Sequence, residues 1–275
     1  MIVLPFLLYA LSGLLYAIHF AQRGPRTGQT ASALLAAGAV SHTFVLGMHT
    51  VQAGYLPLAG QGAAVSVFLW LLALTYLYVE LTTAERAMGL FVTPLIAVLY
   101  IVPLTSAAAP PLPPVLESPL FALHVASVLC AYAAFALASV VSITYVLLFR
   151  ELKRKQPGVF FARLPSLRAL DQMNLRAVVV GLVFLSVGVI VGFVWAALAT
   201  GRGSNDPRVL AMSLADPKIV LALLAWSVYA FQLYARRVIG WGGHRAAWLS
   251  TLGFITILIN LLPVAYFLQT SHAFD

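Results

Sequence analysis

Eight apolar runs of roughly 20 residues, separated by short polar connections, decide what this chain can fold into. They lie at about 2–20, 31–53, 63–81, 87–108, 121–149, 176–200, 219–239 and 247–270. A helix needs ~20 residues at ~1.5 Å each to cross ~30 Å of hydrocarbon, so every run has spanning length. Backbone polar groups in lipid have no water to bond and must pair within their own segment, which makes each run a helix. Of the 275 residues 62% are hydrophobic and 9% charged, beyond the range of a water-soluble domain. The expectation is an all-α, polytopic membrane helix bundle of about eight transmembrane helices, one domain over residues 1–275. The first run starts at Ile2 without a basic leader or cleavage site and reads as a retained span.

The net charge of +8 is distributed as an orientation signal. Of the 16 lysines and arginines, all but Arg202, Arg208 and Lys218 fall in or beside the connections after spans 1, 3, 5 and 7. By the positive-inside rule these connections face the cytoplasm. Both termini are then expected on the outer (periplasmic) face of a bacterial inner membrane. The basic residues answer to a lipid bilayer, and nucleic acid is not an expected partner.

Two connections have character. Residues 157–174 carry Phe160, Phe161, Leu164, Leu167 and Leu170 at steps of three or four, with Arg163, Arg168 and Asp171 between them. That period suits an amphipathic connector on the inner surface. Residues 200–218 form the longest outer-face loop and contain Asp206-Pro207-Arg208 and Asp216-Pro217-Lys218, with Trp195 and Trp226 beyond its two ends.

Several chemistries find no support. The chain has neither a Gly-rich phosphate loop nor a GxSxG elbow or HExxH pair. Cys130 is the only cysteine, which excludes an internal disulfide and a thiolate cluster. Its eight carboxylates all lie away from the middle of a span, which argues against an ion-coupled carrier.

Histidine remains. His42 falls about mid-membrane, since eleven residues of helix advance ~16 Å. A buried histidine there serves either function or an interhelical hydrogen bond. His49, seven residues on, shares its side but lies ~10 Å farther out. His19 and His244 sit at the inner boundary and read as interfacial polar residues. His124 and His272, distant in sequence, both reach the outer face beside the 200–218 loop. Two imidazoles can fill the axial positions of a haem iron, and two unrelated interfacial histidines are the alternative.

At this point several stretches resemble one family. Asp216-Pro217-Lys218 followed by Trp226 resembles the tryptophan-rich "WWD" loop of the cytochrome c assembly proteins (the CcsA, CcmC and HemX-type group). His42 followed by Gly54-Tyr55-Leu56-Pro57, and Leu123-His124 followed by Ala131-Tyr132, are similar to that group's span-2 histidine and core-span opening. So are Leu164-Pro165-Ser166-Leu167, the Gly240–Leu249 stretch and Ser271-His272 in order. The loop departs from the pattern: Ser213, Leu214 and Ala215 stand where the family has W-x-W, and Ile219 where it has Glu.

The resemblance implies haem handling in cytochrome c biogenesis, with haem b presented or passed at the outer face. It assigns His124 and His272 as axial ligands of the haem iron and His42 to haem crossing the membrane; His49, from its place on the same helix, is a lesser candidate. The loop residues Trp195, Asp216, Pro217, Lys218 and Trp226 would border the haem. Arg202 and Arg208 could pair with its propionates, since arginine matches a carboxylate through two parallel bonds. The expected partners are haem, a second assembly protein with a large outer-face domain, and through it apocytochrome c. On this reading the chain is a subunit of a haem-attachment complex and no enzyme by itself. A HemX-like protein affecting haem supply without displaying haem, and a small-molecule permease, are the alternatives.

Overall fold

The structure, a computed structural model, describes residues 2–22, 24–56, 58, 61–106, 116–155, 158–201 and 216–261. Among them every regular element is helical. The helices are α1 (Val3–Gln22), α2 (Pro25–Ala53), α3 (Gln61–Thr83), α4 (Gly89–Leu99), α5 (Ile101–Thr105), α6 (Pro119–Lys153), α7 (Val159–Arg163), α8 (Leu167–Gly201), α9 (Pro217–Tyr234) and α10 (His244–Leu261). A π turn over Ala235–Ile239 continues α9. Six of the helices (α1, α2, α3, α6, α8, and α9 with its π turn) are long and apolar enough to cross a membrane. The chain is a multi-pass membrane protein.

The fourth apolar run is a broken helix. Pro94 lies inside α4 and Pro103 inside α5, with Tyr100 at the joint. A proline has no N–H for the carbonyl four residues back, and this weakens the rod at that depth. The eighth run is α10, described as far as Leu261.

Sequence neighbours pack antiparallel. Tyr16 meets Ser32 while Tyr9 meets His42, so α1 and α2 run in opposite directions. His124 meets Gly188 while Asn174 meets Ser142, which gives the same relation for α6 and α8. One end of the bundle gathers Arg86, Arg150, Arg236 and Arg245, and is called the basic end below; the other is the far end. Helices α1–α5 form one half, α6–α10 the other, and α3 packs on α6 between them.

Aromatic rings laid on glycines set the closest approaches. A Cβ on Gly38 would lie 2.8 Å from the Tyr9 ring, on Gly181 2.5 Å from Phe135, and on Gly253 2.8 Å from Tyr229. Water is as absent from lipid as from the protein interior, so packing of this kind and interhelical hydrogen bonds hold membrane helices together. Phe135 and Tyr229 themselves stack at 3.7 Å between ring centroids.

The 157–174 connector is divided. Val159–Arg163 forms the short α7, and Pro165 ends it. Ser166 then opens α8 by accepting the Ala169 N–H at 3.2 Å. Helix α8 therefore starts at Leu167, nine residues before the apolar run at 176. Asp171 shows why the helix can begin so early. It accepts from Arg236 in a two-bond pair and from the Gly243 N–H at 3.0 Å, so this polar turn is bolted to the π turn and the start of α10.

Candidate functional site

Toward the far end, α6 and α8 build a niche for His124. On α6, Phe121, His124 and Val128 share a face; on α8, Gly188, Gly192 and Trp195 do. His124 Nδ1 donates to the carbonyl of Gly188 at 2.7 Å. That bond selects the tautomer with the lone pair on Nε2, the arrangement a metal-ligating imidazole requires. The ring lies where Gly192 has no side chain, since a Cβ there would be 2.6 Å from Nδ1. Phe121 stands 6.5 Å from the imidazole and 5.1 Å from the Trp195 ring, and Leu116 closes the cluster behind them. Trp195 is therefore buried in an aromatic wall beside His124.

Asp216-Pro217-Lys218 is the start of a helix. Asp216 accepts the Lys218 N–H at 2.9 Å as the N-cap of α9, and Pro217 occupies the first helical position, where its missing N–H costs nothing. The Lys218 carbonyl accepts from Asn260 on α10 at 3.3 Å, and Asn260 also donates to the Tyr132 hydroxyl at 2.9 Å. The motif thus ties α9 to α10 and α6. Trp226 lies inside α9, nine residues on, and donates to Ser186 Oγ of α8 at 2.8 Å. Residues 202–215 of the loop, with Arg202 and Arg208, and residues 262–275, with His272, lie outside the described residues.

A second polar cluster sits within the first half. His42 is completely buried, its Nδ1 3.2 Å from the Tyr9 hydroxyl and its Nε2 2.9 Å from Ser66 Oγ. Tyr100, at the α4–α5 joint, faces it with ring centroids 5.0 Å apart. His49, two turns on, is exposed on α2. His19 donates to the Gly24 carbonyl at 2.9 Å and closes the α1–α2 turn; His244 packs on Phe149 at 4.7 Å. Both boundary histidines have these structural contacts.

Two polar clusters escaped the reading of the sequence. Glu80, three residues before the end of α3, is 1% exposed. It accepts from Tyr16 at 2.6 Å and from Ser32, with the Arg86 guanidinium at 3.6 Å. Asn174, Gln232, Ser142 and Ser250 form a buried node joining four helices. The signal was a polar residue inside an apolar run, Glu80 in one case and Gln232 in the other, whose partners lie up to 64 residues away. Among the described residues no group of three or more His, Cys, Asp or Glu could hold a bare metal ion. A site for an iron porphyrin asks only one or two imidazoles of the protein.

Residues 2–272 match the model of the family described as Cytochrome C assembly protein. The chain belongs to that family. Among its relatives is the "Cytochrome c biogenesis protein CcsA" of Guillardia theta, 28% identical over 257 residues that cover 86% of this chain and 82% of that protein. The protein of the same name from Chlorella vulgaris is 27% identical over 267 residues, covering 84% and 81%. That from Prochlorococcus marinus (strain MIT 9303) is 27% identical over 243 residues, covering 78% and 74%. Membership in the cytochrome c assembly family thus extends across both halves of the bundle, including the His124 niche and the His42 cluster.

Proposed function

We propose that this chain is a haem-binding membrane subunit of cytochrome c biogenesis, presenting or passing haem b at the outer face of a bacterial inner membrane. The observation that carries the reading is the His124 niche: an imidazole held by Gly188, cleared by Gly192 and walled by Phe121 and Trp195. These residues fit a porphyrin. The Gly188 bond sets the tautomer that a haem-ligating imidazole needs, and the buried Phe121 and Trp195 pack beside the ring and would fix its place. His272 is the proposed second axial ligand, and Arg202 and Arg208 the propionate partners on the 200–218 loop. His42 is the proposed ligand for haem within the membrane.

Haem, when bound, supplies the vinyl groups that become thioether links to apocytochrome c. This chain's part is to hold and orient the macrocycle and to keep its iron ligated. Asp216 and Pro217 would set where the loop returns to α9. A second assembly protein with a large outer-face domain would bring the apocytochrome. The topology that goes with this reading has eight crossings, α4 and α5 together making the fourth and α10 the eighth. Both termini then lie outside the cytoplasm.

Purification of the full chain from haem-supplemented cells tests the proposal. A Soret band is expected, reduced in His124→Ala and in His272→Ala. Protein without haem under these conditions would remove the axial-ligand claim. A reporter fused after Asp275 should be active outside the cytoplasm, and cytoplasmic activity would reverse the orientation.

A further inference from the structure

Two arginine–carboxylate pairs stand at the basic end, and they are built differently. Arg236 grips Asp171 through both terminal nitrogens of its guanidinium, so its fork is spent within the fold. Arg86 meets Glu80 through Nε at 3.6 Å, and the same Nε donates to Ser32 Oγ at 3.3 Å. Among the described residues its terminal nitrogens, Nη1 and Nη2, have no hydrogen-bond partner, and the side chain is 32% exposed.

The rest of Arg86 is fixed. Its carbonyl accepts from the Tyr76 hydroxyl at 3.3 Å and from the Gly89 N–H at 3.1 Å. Glu80, which anchors Nε, is itself held by Tyr16 at 2.6 Å and by Ser32. The Arg86 stem and the His19 ring both rest over Gly28, where a Cβ would lie 3.0 Å from Arg86 Cδ and 2.8 Å from the imidazole. The backbone reaches Arg86 through Ala84 at φ 58°, a left-handed conformation that glycine adopts freely and alanine only at a cost. Residues of α1, α2, α3 and α4 thus fix the stem of one arginine and leave its fork open.

Depth says what the fork can meet. The guanidinium lies level with Glu80, in the last turn of α3. Beside Glu80, Leu81 is 74% exposed and Tyr78 48%. Exposed apolar side chains of a multi-pass membrane protein face acyl chains, so the fork stands at the edge of the hydrocarbon, where the headgroup region begins.

We propose that Arg86 is the headgroup-binding residue of a phospholipid site at the basic end, its fork taking two phosphate oxygens while the acyl chains lie along α3 beside Leu81. A guanidinium fork matches two phosphate oxygens through parallel, charge-assisted bonds, which a single ammonium cannot reproduce. Glu80 is a positioning residue: it holds Nε and thereby aims the fork away from the protein. The exposed apolar surface of α3 favours a phosphate that carries acyl chains over a free anion. The site is independent of the haem reading.

The full chain in neutral detergent micelles, at about 0.15 M salt, is titrated with phosphatidylglycerol, and bound lipid is counted by native mass spectrometry. Diacylglycerol with the same acyl chains supplies the tails without the phosphate, and inorganic phosphate supplies the anion without the tails. Arg86→Ala should weaken phosphatidylglycerol binding about tenfold, and Arg86→Lys, which keeps the charge and lacks the fork, about threefold. Arg237→Ala, at an exposed arginine of the same end, should change it by less than about twofold. Should Arg86→Ala fail to fold, Arg86→Lys decides by the same measure. Arg86→Lys that binds as tightly as the unmutated chain overturns the proposal, and so does an equal loss in Arg237→Ala. Diacylglycerol bound as tightly as phosphatidylglycerol would show that the phosphate is not recognised. Inorganic phosphate held as tightly as the lipid, and lost in the Arg86 variants, would put a free anion at the fork and overturn the lipid assignment.

Discussion

The imidazole of His124 donates to the Gly188 carbonyl at 2.7 Å and lies in the space left by Gly192, one turn farther along the same helix. Ring orientation and helix spacing are thus set by the same contact. Gly192→Ala should disturb both. The added methyl would stand 2.6 Å from Nδ1, so the ring must turn or α6 and α8 must part. Overpacking of this kind costs about 1–3 kcal/mol. Haem occupancy should fall, with a shifted or broadened Soret band. Gly47→Ala is the matched control, since nothing lies within 4 Å of its Cβ position, and it should be neutral or stabilising. Equal spectra for Gly192→Ala and Gly47→Ala would show that the His124 ring is not held as described.

Asp216 acts as the N-cap of α9. Asp216→Ala should destabilise the protein by about 1 kcal/mol, and Asp216→Asn, which keeps an acceptor oxygen, by much less. Hydrogen exchange at the Lys218 amide is the direct readout, because that N–H bonds the Asp216 carboxylate. Exchange that is no faster in the alanine variant would contradict the cap.

Glu80 is a structural acceptor at the basic end. Glu80→Ala leaves the buried Tyr16 hydroxyl short of its carboxylate and should cost about 2–3 kcal/mol, read as a fall in the denaturation midpoint. Glu80→Gln keeps an acceptor and should recover part of the loss. Arg86→Ala should matter less, since that side chain is 32% exposed and its partner 3.6 Å away. The order Ala, Gln, then Arg86→Ala is the expected ranking, and a larger effect at Arg86 would reassign the cluster.

Glu85, in the turn between α3 and α4, is half-buried, and burial raises its carboxyl above the ordinary range. The folded chain therefore holds this proton more tightly than the unfolded chain. Its charged form opposes folding at neutral pH, and the penalty is relieved as pH falls through the raised value toward about 4.3, the unperturbed glutamate value. Glu85→Gln should raise the unfolding midpoint at pH 7. The advantage should shrink as pH is lowered, and a pH-independent difference would rule out this cause.

Spans whose sides are lipid announce themselves. The runs at 2–20, 31–53 and 121–149 appear as α1, α2 and α6, because bilayer thickness and backbone pairing both act on a single segment. The mid-helix place of His42 was legible too, and that residue is buried; Asp216-Pro217-Lys218 was read as loop, although an Asp-Pro pair is a helix start by residue type and the structure makes it one. Glu80 was not legible, because a position near a helix end looks interfacial until α1 and α2 are known to cover it. The extension of α8 back to Leu167 was also missed, since its first turns are polar and are anchored by Arg236 and Gly243 from 65 and 72 residues away.

By itself, the sequence determined a multi-pass all-helical membrane protein with its histidines and loop motif in the order of the cytochrome c assembly family. Those properties depend on hydrophobic length and local residue chemistry, which can be counted along a chain. Only the tertiary structure decided which polar groups meet: His124 with Gly188, His42 with Tyr9 and Ser66, Glu80 with Tyr16, and Tyr100 with none. Such pairings follow from which faces of separate helices pack together. In a bundle held by close packing of small and aromatic residues, that choice is made between helices rather than within any one of them.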